Sequence, residues 1–145
     1  MGMSLGVSLV RESMATCLIS IRGAAFEVDE FLKRTNLKGR WVYRKGEAPK
    51  IDKQDRPESS CSVVISDTES EPISFHVQEA MRFLAVRESE LTEAVKCGAD
   101  DVRLCFLYHR HAGLEQTVYL PPKLLLLAGK LGVGIEATTV QPPEA

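Results

Sequence analysis

The stretch Thr16–Arg34, TCLISIRGAAFEVDEFLKR, changes its apolar period once, and that change sets the fold class. In its first part Cys17, Ile19 and Ile21 alternate with Thr16, Leu18 and Ser20, the period of two that a half-buried strand requires. Gly23 breaks the pattern. From Glu27 to Arg34 the apolar positions fall at Val28, Phe31 and Leu32, the three-and-four spacing of one helix face. Glu27, Asp29 and Glu30 open this segment and Lys33 and Arg34 close it, the order that complements a helix dipole.

Working outward, Arg40–Lys45 (RWVYRK) reads as a short strand with Trp41 and Tyr43 on one face and Val42 on the other. Gly46–Ser60 follows as a long polar loop carrying Pro49 and Pro57, and Cys61–Ile65 (CSVVI) resumes the sheet. Asp67–Pro72 is an acidic turn, with Ser74 the expected cap of the next helix. Val77, Ala80, Met81, Leu84, Leu91 and Val95 keep helical spacing as far as Cys97, with a break expected near Ser89. Gly98 stands where a helix C-terminus wants glycine.

Asp101–Arg110 (DVRLCFLYHR) alternates strongly, and Ala112–Gly113 with Glu115–Leu120 is expected to return it as a hairpin. Pro121 and Pro122 lead a Leu-rich helix, Lys123–Leu131, which Gly132 stops, and Val133–Val140 is the last strand. The expected order is β-α-β-β-α-β-β-α-β: an α+β domain over residues 16–140, with an antiparallel or mixed sheet and helices packed on one face. Met1–Ala15 is expected as a loosely held tail or added edge strand, and residues 141–145 as a C-terminal tail. Leu84, Leu91, Leu104, Phe106, Leu124, Leu127 and Ile135 form the expected core.

Length and composition narrow the classes. The chain has 145 residues, 44% hydrophobic and 26% charged, which suits one globular domain and argues against disorder. No apolar run approaches the 18 or so residues of a membrane span. The apolar segment Leu5–Val10 has no basic residue ahead of it, so it makes a poor secretory signal. Cys17, Cys61, Cys97 and Cys105 include no CxxC pair, so reduced thiols and a cytoplasmic location are expected. The net charge of −2 is unevenly distributed, with 11 Lys/Arg against 7 Asp/Glu over residues 1–56 and 7 against 13 over the remainder. Sequence halves of opposite sign bear on association rather than on fold.

Each chemical motif competes with a plainer reading. His109 and His111 share a strand face, and Glu115 is the nearest third ligand; two ligands rarely hold a metal, so a polar strand end is the better account. A cysteine nucleophile paired with His76, His109 or His111 would need a thiolate-stabilising helix N-terminus, and no cysteine has one. Gly129–Gly134 (GKLGVG) crosses a helix end and lacks the strand-to-helix context of a phosphate loop. No catalytic, cofactor or metal site is expected.

The basic segment Lys38–Arg56 carries seven basic residues against three acidic ones. Trp41 and Tyr43 would suit stacking on bases, but they alternate as core residues do and the whole chain is acidic, which disfavours nucleic acid. Arg40, Arg44, Lys45, Lys50, Lys53 and Arg56 are the expected partner-binding residues, facing an acidic protein surface. No membrane partner is expected.

Three segments carry a family resemblance: the opening strand with FEVDEFLKRTNL (Phe26–Leu37), WVYRKGE (Trp41–Glu47) and LPPKLLLLAGKLGVGIEA (Leu120–Ala137). With them, Cys17–Thr139 resembles the bacterial family described only as domain of unknown function 4279. The chain departs from that family's pattern at Lys38-Gly39, where Pro-Thr is usual, and at Cys61, where a Trp is usual. The resemblance implies an α+β fold and brings no catalytic residues. Some relatives look like immunity proteins that bind and neutralise toxins. The expected function is therefore a non-enzymatic protein-binding domain of immunity or inhibitor type; the alternative is a small enzyme or ligand-binding protein whose site is assembled from scattered residues.

Overall fold

A computed structural model describes residues 15–47, 56–68, 70–109 and 117–140. Its elements are β1 (Ala15–Gly23), α1 (Val28–Thr35), β2 (Arg40–Tyr43), β3 (Ser59–Ser66), α2 (Ile73–Val86), α3 (Glu88–Lys96), β4 (Asp101–His109), α4 (Pro122–Lys130) and β5 (Gly134–Val140). The five strands make one sheet in the order β2-β3-β1-β4-β5. Every pairing is antiparallel except β4 with β5, so the sheet is mixed and the domain is α+β.

The two faces of the sheet differ as the alternation requires. Cys17, Ile19 and Ile21 of β1, Cys61 and Val63 of β3, and Leu104 and Phe106 of β4 are buried. They share one core with Phe31 of α1, Val77 and Leu84 of α2, Leu91 of α3 and Leu124 of α4, which puts the helices on one face. The other face carries hydrogen-bonded charges: Arg103 bridges Asp101 and Glu136, and Arg22 reaches Ser20 and Glu58. Of the expected core, Leu84, Leu91, Leu104, Phe106 and Leu124 are buried. Leu127 and Ile135 are only partly buried, packed against the core's margin because α4 and β5 lie at the end of the sheet.

Three expectations are corrected. The hairpin return over Glu115–Leu120 is absent among the described residues, since 117–120 are not a strand. A strand has two edges; β1 takes one edge of β4 and β5 takes the other, in parallel, after the crossover through α4. The break expected near Ser89 is present two residues earlier: Arg87 (φ −115°, ψ 25°) ends α2 and starts α3. The break redirects the axis, so that α2 lies over β1, β3 and β4 while α3 packs on α1. Ser74 falls inside α2, whose cap position is Pro72, and the expected order accordingly becomes β-α-β-β-α-α-β-α-β.

Gly98, just past α3, has φ +98°, and a Cβ there would collide with the carbonyl of Ala25. The close approach lets the Glu27 amide donate to the Cys97 carbonyl at 2.7 Å, tying the start of α1 to the end of α3. Glycine is the residue that permits it. Residues 1–14, 110–116 and 141–145, with His111 and Glu115, lie outside the described residues.

Candidate functional site

The irregular edge of the sheet is β2. Arg40 pairs with Ser62 and Tyr43 with Ser60, so three steps along β2 stand opposite two along β3. The extra residue makes a β-bulge, and Trp41 absorbs it with φ +49°. A bulky L residue in the left-handed region is uncommon, because its Cβ crowds the carbonyl oxygen. Val42 packs against the core while Trp41 is 54% exposed. Trp41 is thus a surface residue, contrary to the core role its alternation with Val42 suggested. The bulge that turned it outward leaves no mark in the period.

Around Trp41 the structure assembles a basic and aromatic surface. The Arg40 guanidinium lies 5.9 Å from the Trp41 ring centroid, and that of Arg56 lies 3.7 Å from the Tyr43 ring centroid. Arg56 can reach Tyr43 because the loop neck is stitched: the Gly46 amide donates to the Arg56 carbonyl and the Arg56 amide to the Glu47 carbonyl. The Lys45 amide donates to Ser59 Oγ at 2.9 Å, and Lys45 is exposed. These contacts bring Arg40, Lys45 and Arg56 of the expected residues to one strand and its neck.

Arg44 is used differently. It donates two hydrogen bonds to the Asp29 carboxylate, at 2.9 and 2.8 Å, and sits 3.7 Å from Glu47. Those bonds hold the Asp29 carboxyl below its ordinary range and raise the Arg44 guanidinium. Its charge is spent within the chain, joining the turn after β2 to α1. Lys50 and Lys53 lie outside the described residues.

Beside β2 a cleft of about 690 Å³ opens between the end of α1, the α2–α3 junction and the edge of β3. Lys38, Arg40 and Arg87 line it, with Val63, Val64 and Ile65 behind them. Arg87 meets Glu90 at 3.3 Å, whereas Lys38 and Arg40 have no ion-pair partner among the described residues. Sequence reasoning missed this cleft because Arg87 comes from a segment remote from Lys38 and Arg40.

The buried titratable groups lie elsewhere. His76, fully buried in the first turns of α2, shares a hydrogen bond with Ser66 at the end of β3. Burial lowers the imidazole's pKa below its ordinary value. Ser66 is buried as well, so the pair serves to clamp α2 onto β3. All four cysteines are buried and free. Burial pushes Cys61 up to about 12 and Cys105 to about 11, which leaves them thiols rather than nucleophilic thiolates. Among the described residues no group of three or more His, Cys, Asp or Glu is placed to hold a metal ion. No helix of the described residues is long and apolar enough to cross a membrane.

Compared with family models, with curated proteins and with solved structures, the chain matches none.

Proposed function

We propose that this is a protein-binding domain whose recognition surface is β2 and its neck, with Arg40, Trp41, Lys45 and Arg56 facing an acidic patch on the partner. The observation that carries the reading is Trp41: exposed, and held in the left-handed region at an edge-strand bulge. Backbone strain of this kind persists where surrounding structure enforces it, and it concentrates at sites that bind. Trp, Tyr and Arg are also the side chains that dominate protein interfaces energetically. Lys38 and Arg40, without an ion-pair partner among the described residues, supply the positive field that would steer an acidic partner into register. In this reading the resemblance to the domain of unknown function 4279 family, and to its immunity-type members, makes the partner a protein that this domain neutralises by occupying it.

The test is capture from the native lysate with three proteins: wild type, Trp41→Ala, and a charge reversal of Lys50, Lys53 and Arg56 to Glu. The expected result is one partner retained by wild type and lost by Trp41→Ala, with little change in melting temperature. Equal capture by wild type and Trp41→Ala would remove β2 from the interface. Loss only in the charge reversal would move recognition into the loop.

A further inference from the structure

The cleft beside β2 coincides with a break in strand pairing. β2 pairs with β3 only from Ser62 toward Ser60, whereas β3 runs on to Ser66. Over that extension β1 covers the opposite edge, with Ile19 opposite Val63, Leu18 opposite Val64 and Cys17 opposite Ser66. On the β2 side no described strand covers Val63–Ser66, and Val63, Val64 and Ile65 form the back of the cleft. Uncovered strand edges are templates for another strand, and proteins usually block them with charge, proline or a covering element. Here the segment is Val63, Val64, Ile65 and Ser66, uncharged throughout and apolar over its first three residues, which face the open space of the cleft.

We propose that the cleft takes an extended acidic peptide segment of a partner protein, which adds to the edge of β3 at Val63–Ser66 in line with β2. This rests on the protein-binding reading above and specifies what the partner presents. An added strand gains affinity from main-chain hydrogen bonds, and its alternate side chains supply specificity. Four edge residues at about 3.4 Å each give roughly 14 Å of ladder, enough for one short segment. The cleft volume, about 690 Å³, is in the size range of ligand-binding clefts. The choice of an acidic occupant follows from Lys38, Arg40 and Arg87 at the rim against the single carboxylate of Glu90, which Arg87 already contacts. A basic strand would meet like charge in the same place, and like charge across an interface excludes wrong partners.

The probe is a capped hexapeptide alternating Glu with Val and Thr, titrated into the ¹⁵N-labelled full chain, with its Lys-for-Glu counterpart as control. Saturable shifts are expected at the amides of Val63–Ser66, with hydrogen exchange there slowed about tenfold on binding and no saturation by the Lys peptide. Lys38→Glu with Arg87→Glu, both exposed, should weaken the Glu peptide at least about tenfold while leaving the circular dichroism unchanged. Trp41→Ala should bind the peptide as wild type does. No saturation at millimolar peptide, shifts confined to other strands, or equal binding of the Lys peptide would each overturn the cleft. So would loss of binding in Trp41→Ala with retention in the double variant, which would seat the peptide on β2. Peptide binding as expected, together with equal lysate capture by wild type and Trp41→Ala, would overturn the proposed function of Trp41 and leave the cleft standing.

Discussion

Replacing Trp41 by glycine and, separately, by alanine tests the central claim about β2. Both substitutions remove the same indole and the same half-exposed contact, so those losses cancel in the comparison. What remains is the backbone. At φ +49° an L residue pays about 1–2 kcal/mol that glycine does not. Against this, glycine gives up about 0.5–1 kcal/mol of chain entropy relative to alanine. The glycine variant should therefore be the more stable by roughly 0.5–1 kcal/mol, whereas at an ordinary strand position alanine would lead by a similar margin. The sign alone separates the two cases. Urea unfolding followed by circular dichroism is the suitable assay, since Trp41 is the sole tryptophan and its fluorescence is lost in both variants. With a slope near 2 kcal/mol/M the midpoints should differ by about 0.3–0.5 M. An alanine variant as stable as the glycine variant, or more so, would refute the strained bulge and with it the main reason for placing a binding site there.

Four further outcomes follow from the interior. Phe106, fully buried in β4, should cost on the order of 3–5 kcal/mol as Phe106→Ala; a loss below about 1 kcal/mol in urea unfolding would show that β4 presents its other face to the helices. All four thiols should react with a disulfide reagent under denaturing conditions without reductant, and only slowly in the native protein; two or fewer in the denatured protein would contradict their free state. Burial raises Cys61 and Cys105 above the ordinary thiol value of 9.0, so the unfolded chain loses those protons first and stability should fall as pH rises past about 9; a level urea midpoint from pH 8 to 10.5 would disprove it. On the acid side burial lowers His76 below 6.5, so the unfolded chain gains the proton first and stability should decline below about pH 6.5. His76→Leu should flatten that decline, and an unchanged slope would remove His76 as its source.

Much of the candidate site was out of reach of local pattern. The charge excess of Lys38–Arg56 was visible in the sequence, but not which cations remain available. Arg44 is consumed by Asp29, fifteen positions earlier and on a different element, whereas Arg56 is stacked on Tyr43 by backbone bonds that close the loop neck. The cleft needed Lys38, Arg40 and Arg87 together, and Arg87 arrives only because the α2–α3 helix breaks at that residue. A break is expected near Ser89, two residues on, but no local pattern records that the turn sets Arg87 beside Lys38 and Arg40.

The sequence by itself determined which residues face inward. The period of two in β1 and β4 and the helical spacing of α1, α2 and α4 put Ile19, Ile21, Phe31, Leu84, Leu104, Phe106 and Leu124 in the core, because one apolar face per element must be removed from water. It also determined the class, since a strand, a helix and further strands with that pattern admit an α+β layer packing. Only the tertiary structure decided which strands are neighbours. Residues 117–120 and β5 could each have lain beside β4; β5 holds that edge, and an edge admits one occupant. The conformation of Trp41 was decided the same way. Fitting three steps of β2 to two of β3 forces one residue out of the ladder, and the register of a distant strand, rather than any preference of tryptophan, selects which one.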